Sequence, residues 1–393
     1  MANKRNMENW RKSISHSHKQ QADKPSNARR GAERYQSERC SFLPKIANRG
    51  THMERRSSRG SARPAHGRAD SGHNGRRGPF PKAACKGALR QHPQGGRGTS
   101  TIPLAGRRKG DWYEIRLPEQ YSTISASNIL RLLPIPPKLA SKLLQENGVQ
   151  ISVNLLKLRL FSKERTGIEA DWYNLNVLFE DDFMLIVNKP AGMEVHPSTH
   201  GQKGTLANAV AAYFEMTGKA CKVRPIHRLD KDTTGPVVFA KNEVASIILE
   251  KSLKDKNIDR LYVAIAEGSF SKMKGTIDAP IGQDRLHSTR RRVSETGLPA
   301  VTHYEVAEQL GEHTLVRLRL TTGRTHQIRV HLSHIGHPIA GDGMYGGKRI
   351  YISRQALHGE RLIYNHPWTG KKIHVSAPIP QDMRQALEAL RNR

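Results

Sequence analysis

Two carboxylates one residue apart, Asp230 and Asp232, stand among the cations Arg228 and Lys231 in the stretch Ile226-His227-Arg228-Leu229-Asp230-Lys231-Asp232-Thr233-Thr234-Gly235. Nearby positive charge favours the ionised form of a carboxylate, which suits a nucleophile or an electrostatic stabiliser better than a general acid. Asp230 is the candidate reactive group. The plainer reading makes both aspartates turn residues whose side chains bond local backbone N–H groups, with Thr233, Thr234 and Gly235 completing a loop before the apolar run Val237–Ala240. Charge pattern alone favours that plainer reading.

The elements that must hold this loop can be read around it. Val177 to Pro190 contains two apolar runs about the acidic pair Asp181-Asp182, the pattern of a β-hairpin, and Pro190, Gly192 and Pro197 then force an irregular loop carrying Lys189 and His196. Thr205 to Met216 and Val244 to Lys254 read as helices, and Leu261–Ala266 as a buried strand that contains Tyr262. A tyrosine there is more often packing than chemistry. Strand-like alternation recurs at 275–282 and 300–307, with Arg290-Arg291-Arg292 between them on an expected exposed loop suited to phosphate contact. Thr314–Leu320 alternates strictly, Thr321 to Arg324 breaks the pattern, and a helix is expected from Thr325 as N-cap, with Ile328, Leu332 and Ile335 on its buried face. Arg329 falls one step off that face, and a guanidinium beside a buried stripe needs a carboxylate partner. Strands over 356–375 and a short C-terminal helix close the chain. Strands and helices mix without regular βαβ alternation, so the expected class is α+β with a largely antiparallel or mixed sheet flanked by helices.

Charge divides the chain. The 393 residues carry a net +30, and residues 1–110 hold 26 Lys+Arg against 6 Asp+Glu, so +20 of the excess lies in little more than a quarter of the sequence. That segment is rich in Arg, Gly and Ser and shows neither a helical nor a strand period, so residues 1–108 read as a disordered basic tail able to follow phosphates. A merely solubilising extension is the alternative. Residues 109–168 form a small unit: a strand near Asp111–Pro118, a short helix from Ser127, a helix from Lys138 to Glu146 stopped by Asn147-Gly148, and a strand at 149–153. Such a balance of charge favours a polyanionic partner, nucleic acid before membrane. The sequence has no apolar run of 18 residues and no apolar core near its start, and its three cysteines are widely spaced. A soluble protein of a reducing cytoplasm, without disulfides or a zinc pattern, is expected.

The string His227-Arg228-Leu229-Asp230 with Thr233 and Gly235 resembles the signature of the RluA family of RNA pseudouridine synthases. Three further segments resemble that family in the right order: Asn188-Lys189-Pro190-Ala191-Gly192-Met193 with His196-Pro197, Arg260-Leu261-Tyr262, and Gly323-Arg324-Thr325-His326-Gln327-Ile328-Arg329-Val330-His331. The resemblance spans roughly residues 110–385. It implies a pseudouridine-synthase catalytic domain over 170–393, preceded by a degenerate S4-like RNA-binding unit or a plain cap. It implies a catalytic set of Asp230 as the reactive carboxylate, Arg329 as its partner, and Tyr262 against the target base and a candidate for assisting loss of the C5 proton. It also implies RNA contacts at His227, Arg228, Lys189, Arg324, His326 and Gln327, with Lys189 facing phosphate and His227 and Arg228 bracing the space left by a flipped nucleotide.

The implied reaction is isomerisation of uridine in ribosomal or transfer RNA. It gains no group and changes no oxidation state, so neither cofactor nor metal is expected, and the chain is expected to act as a monomer. Whether Asp230 adds to C1′ or removes the C2′ proton stays open. Two rival readings are an RNA-binding ribosome-assembly factor on a synthase scaffold and a glycosylase-like hydrolase that releases uracil. Thr234 stands where the family usually has Ser, and Pro236 where an aliphatic residue is usual.

Overall fold

The computed structural model describes residue 102, residues 104–121 and residues 123–392. The expected basic tail lies almost wholly in residues 1–101, outside the described residues. Its expected end at residue 108 is corrected, because ordered structure has begun by then. Strand β1 (Gly106–Lys109) pairs antiparallel with β2 (Trp112–Arg116), and Ile102 is already buried in the core.

Helices α1 (Ala126–Arg131) and α2 (Pro137–Gln145) come next, then β3 (Val149–Ser152) and β4 (Leu155–Leu158), giving a four-stranded sheet in the order β1-β2-β4-β3. Ser125 caps α1 by accepting from Asn128 N–H, and Pro137 opens α2 at a position where a missing N–H costs nothing. Helix α2 ends because Asn147 turns left-handed, at φ 52°, and Gly148 N–H returns to Leu143 O at 2.7 Å. Tyr113 of β2 packs edge-on against Phe183 and Trp368, which stack on each other with centroids 5.5 Å apart. This aromatic cluster seats the small sheet on the main domain.

The main domain opens with β5 (Val177–Glu180) and β6 (Met184–Lys189), the expected hairpin, followed by α3 (Leu206–Met216), β7 (Arg224–Pro225), β8 (Gly235–Ala240) and α4 (Glu243–Lys254). Strands β9 (Asp259–Glu267), β10 (Lys274–Asp278), β11 (Ile281–Gln283), β12 (Arg291–Val293), β13 (Val301–Leu310) and β14 (His313–Leu320) lead to α5 (Gln327–His334). The chain finishes with β15 (Leu357–Asn365), β16 (Lys372–Ser376) and α6 (Gln381–Arg391). The strands assemble into β5-β6-β8-β7 and a larger sheet, β10-β13-β14-β9-β15-β16, every pair antiparallel. Apolar residues run unbroken through Met184–Val187 of β6 and through β8 because both stretches are buried on both faces.

The two main sheets meet at one seam. Thr234 bridges His358 in parallel, and Gly359 N–H donates to Thr234 O at 2.8 Å. Gly235 sits at φ 129°, and a Cβ on it would lie 2.5 Å from Gly359 O, so only glycine lets β8 start against β15. The loop from Ile226 to Thr234 therefore emerges where the sheets join.

Two local expectations are corrected. Arg290-Arg291-Arg292 is not an open loop, since Arg291 and Arg292 belong to β12, which pairs with β11. Helix α5 begins at Gln327 with His326 as its N-cap, not at Thr325, and residues 327–332 are all buried while Ile335 is only partly so. Arg329 thus lies inside the packed turn rather than one step off it.

Candidate active site

Asp230 lines an open cleft of about 310 Å³ whose walls include His227, Arg228, Arg260, Tyr262, Arg324, His326 and Arg329. The cation at its carboxylate is neither sequence neighbour. Arg228 and Lys231 are exposed, whereas Arg329 Nη1 reaches Asp230 Oδ2 at 3.2 Å from a helix about a hundred residues away.

Arg329 has a second acid that sequence reasoning missed. Its Nε and Nη2 form a fork on Asp342 Oδ2 and Oδ1 at 2.7 and 2.9 Å, and the Asp342 side chain is 1% exposed against 18% for Asp230. Burial works against the guanidinium's charge, but Asp342 and then Asp230 more than offset it and raise Arg329 above its usual range. In the sequence Asp342 is only an acid between two glycines, Gly341 and Gly343. The signal available was that a buried guanidinium has five donors, more than one carboxylate can satisfy.

The loop that carries Asp230 is pinned from behind. Lys189, fully buried, donates from Nζ to the carbonyls of Pro190, Met193 and Lys231 at 2.7, 2.6 and 2.7 Å. Burial pulls Lys189 down to about 7, against the pull of Asp232 and Asp230, and three carbonyl acceptors match the three N–H bonds of the ammonium form. The expected phosphate contact at Lys189 is corrected: no part of it is exposed, and its donors are spent on the loop. Replacing Lys189 with Met should strand three carbonyls at about 1–3 kcal/mol for a buried group left unpaired. The melting temperature and turnover should fall together while RNA affinity holds, whereas weakened RNA binding with unchanged melting would restore the phosphate reading.

Arg354 adds a further tie, donating from Nη1 to Asp232 O at 3.0 Å while Nε and Nη2 grip Asp382 of α6 at 2.7 and 2.9 Å. Gly192 N–H bonds Asp232 Oδ1, and Thr234 Oγ1 lies 2.8 Å from His358 Nδ1. The threonine thus uses the hydroxyl that it shares with the family's usual serine. Burial holds His358 down to about 4, so the ring is neutral, with Nε2 donating to Ala377 O and Nδ1 accepting from Thr234. Asp232 lies in the turn, but its carboxylate accepts from Gly192 N–H rather than from a local N–H as the plainer reading had it; Asp230 lines the cleft.

Tyr262 lies on β9, buried but lining the cleft, opposite Gly359 of β15. Burial raises its pKa, Arg260 opposes that rise and Asp230 adds to it. His227 is buried, with Nε2 accepting from Val238 N–H at 3.3 Å, and burial together with Arg260 pulls it down to about 3. Arg324 lines the cleft with its Nε tied to Pro299 O at 3.0 Å. Gln327 is corrected from RNA contact to scaffold. Its Oε1 accepts from Thr322 Oγ1 and Arg324 N–H, and its Nε2 donates to Val301 O and Thr302 Oγ1, all within 3.0 Å. Arg260, which the sequence placed only in a motif, lies in the wall of the cleft, with its guanidinium over Gly323 where a Cβ would meet Nη1 at 2.6 Å. Among the described residues, no group of three His, Cys, Asp or Glu side chains is placed to hold a metal ion.

The chain is similar to known proteins. The family model described as RNA pseudouridylate synthase matches residues 183–334, which hold every residue that lines the cleft except Leu357, while Asp342 lies beyond the match. An uncharacterized RNA pseudouridine synthase, YhcT, of Bacillus subtilis (strain 168) is 49% identical over 227 residues, covering 57% of this chain and 75% of that protein. The chain belongs to the RNA pseudouridine synthase family. Ribosomal large subunit pseudouridine synthase D of Escherichia coli (strain K12) is 41% identical over 258 residues, 62% of this chain and 77% of that one. Among solved structures, Human RNA Pseudouridylate Synthase Domain Containing 4 aligns with a TM-score of 0.47 at 24% identity, over 55% of this chain and 93% of that one.

Proposed function

We propose that this member of the RNA pseudouridine synthase family isomerises specific uridines in structured RNA, with Asp230 as the reactive carboxylate and large-subunit ribosomal RNA as the first substrate class to test, ahead of transfer RNA. The observation that carries the reading is a carboxylate at an open cleft, 3.2 Å from a buried guanidinium that is itself anchored by a second acid. That arrangement keeps a charged oxygen aimed at a guest rather than at the protein. In the reaction the N1–C1′ bond breaks, the uracil turns, C5 bonds to C1′ and gives up its proton, and N1 ends protonated, so no atom is gained or lost overall. Asp230 would meet C1′ or the C2′ proton, Tyr262 would pack on the detached base, and exposed Arg228 would fill the gap left by the flipped nucleotide.

Product analysis on RNA carrying labelled uridine tests this. Pseudouridine in the chain is expected, whereas free uracil would make the protein a hydrolase and no change in the RNA would favour an assembly factor. Among the described residues no helix is long and apolar enough to cross a membrane. The protein is proposed to act as a monomer in the cytoplasm.

The unit around β1–β4 is proposed to steady RNA beside the cleft in the manner of an S4-like module, and the basic tail to add affinity through phosphate contacts. Removing residues 1–100, which carry 23 Lys+Arg against 6 Asp+Glu, should leave a folded, active core because the cut falls before buried Ile102. Titrations at several salt concentrations should then show weaker and less salt-dependent RNA binding. An unaltered salt slope would mean that the tail does not touch RNA.

A further inference from the structure

One arrangement of protons satisfies the hydrogen bonds around His326. Tyr345, buried in the wall behind the cleft, accepts Arg291 N–H at 2.9 Å, and His326 Nδ1 lies 2.8 Å from the same phenol oxygen. The phenolic O–H needs an acceptor, and the one at hydrogen-bond distance is Nδ1. With Nδ1 accepting, a neutral imidazole carries its proton on Nε2, which lies 4.0 Å from Asp230 Oδ2. The opposite tautomer would set a lone pair against the carboxylate.

Both rings are held in place. Tyr345 lies under the guanidinium of Arg329, 4.9 Å from its centroid, with Arg290 at 5.4 Å, and the His326 ring stands nearly perpendicular to it at 5.7 Å. His326 itself sits at φ 58° as the N-cap of α5 yet makes no capping bond with its side chain. A non-glycine residue held in that region carries strain that the surroundings must enforce. Here the side chain spans Tyr345 and Asp230 instead. Burial lowers the pKa of His326, Asp230 and Asp342 oppose that shift, and Arg329 and Arg228 add to it, which agrees with a neutral ring.

We infer that Tyr345 is a positioning residue that fixes His326 as an Nε2–H donor, and that His326 and Arg329 converge on Asp230 Oδ2 so that Oδ1 is the oxygen left to react. The inference rests on the reading of Asp230 as the reactive carboxylate. The 4.0 Å gap closes when RNA fills the cleft and excludes water, as hydrogen bonds in empty sites commonly tighten on binding.

Nitrogen-15 histidine labelling of the full chain reads the tautomer in the free protein, with His326→Gln identifying the signal. Wild type should show Nε2–H and Tyr345→Phe a mixture; Nδ1–H or a protonated ring in wild type at neutral pH overturns the assignment. In single-turnover assays at saturating RNA, Tyr345→Phe should slow chemistry by roughly 10- to 100-fold with RNA affinity unchanged and melting only modestly lowered, since Arg291 N–H loses its acceptor. His326→Gln places an amide N–H near the position of Nε2 and should retain more activity than His326→Asn, even though asparagine suits the left-handed backbone better. A wild-type rate in Tyr345→Phe, or asparagine outperforming glutamine, contradicts the proposal. Because the spectrum needs no RNA, a chain that isomerises no uridine would sink the synthase reading alone, and the tautomer would still stand or fall by the spectrum.

Discussion

Asp230→Asn should abolish isomerisation, by at least about 10³- to 10⁴-fold in single turnover, while leaving RNA affinity and melting nearly unchanged. The substitution keeps shape and removes the charged oxygen. Stability should hold because Arg329 loses only its lesser acid: the fork on Asp342 at 2.7 and 2.9 Å remains, and the guanidinium is not left buried and unpaired. Turnover within tenfold of wild type would remove Asp230 from the chemistry. A large drop in melting temperature would mean that its carboxylate is structural after all.

Arg329→Ala should be the most damaging single change to the fold among the site residues, at about 3–5 kcal/mol for breaking a buried pair. It strands the Asp342 carboxylate, whose side chain is 1% exposed, and frees Asp230 from its guide, so the rate of chemistry should also fall by several orders of magnitude. Two thermodynamic cycles apportion the loss. Combining Arg329→Ala with Asp342→Asn should recover much of the destabilisation, because the second change neutralises the acid that the first left unpaired. Combining it with Asp230→Asn should recover little, since Asp230 is partly exposed and can be solvated. Equal coupling to both aspartates, or strict additivity in both cycles, would contradict this geometry.

How far the sequence revealed this site depends on what holds each residue in place. The turn and the buried strand of the Asp230 loop were legible because their signals lie within a dozen residues, but the cation that Asp230 meets, Arg329, comes from about a hundred residues away. The helices with plain signals were legible too, and Thr205 does cap α3 with a reciprocal bond from Asn208. Residues that act through burial were misread. Lys189 and Gln327 are polar types that usually sit at surfaces, and nothing in their neighbours announces three carbonyls around one and four partners around the other. Asp342, Tyr345 and Arg354 reach the site from after α5, across spans that no spacing rule connects. The start of α5 was misplaced because Thr325 is a favoured cap by type, while His326 takes the position by adopting a left-handed backbone.

If this chain turns uridine into pseudouridine by way of Asp230, the modified positions in cellular RNA must depend on that carboxylate. Pseudouridine mapping of total RNA from cells carrying the wild-type gene, no gene, or the Asp230→Asn gene tests it most directly. One or a few uridines, foremost in large-subunit ribosomal RNA, should be modified with the wild-type gene and unmodified in both other strains. Identical maps in all three strains, or full modification with Asp230→Asn, would contradict it.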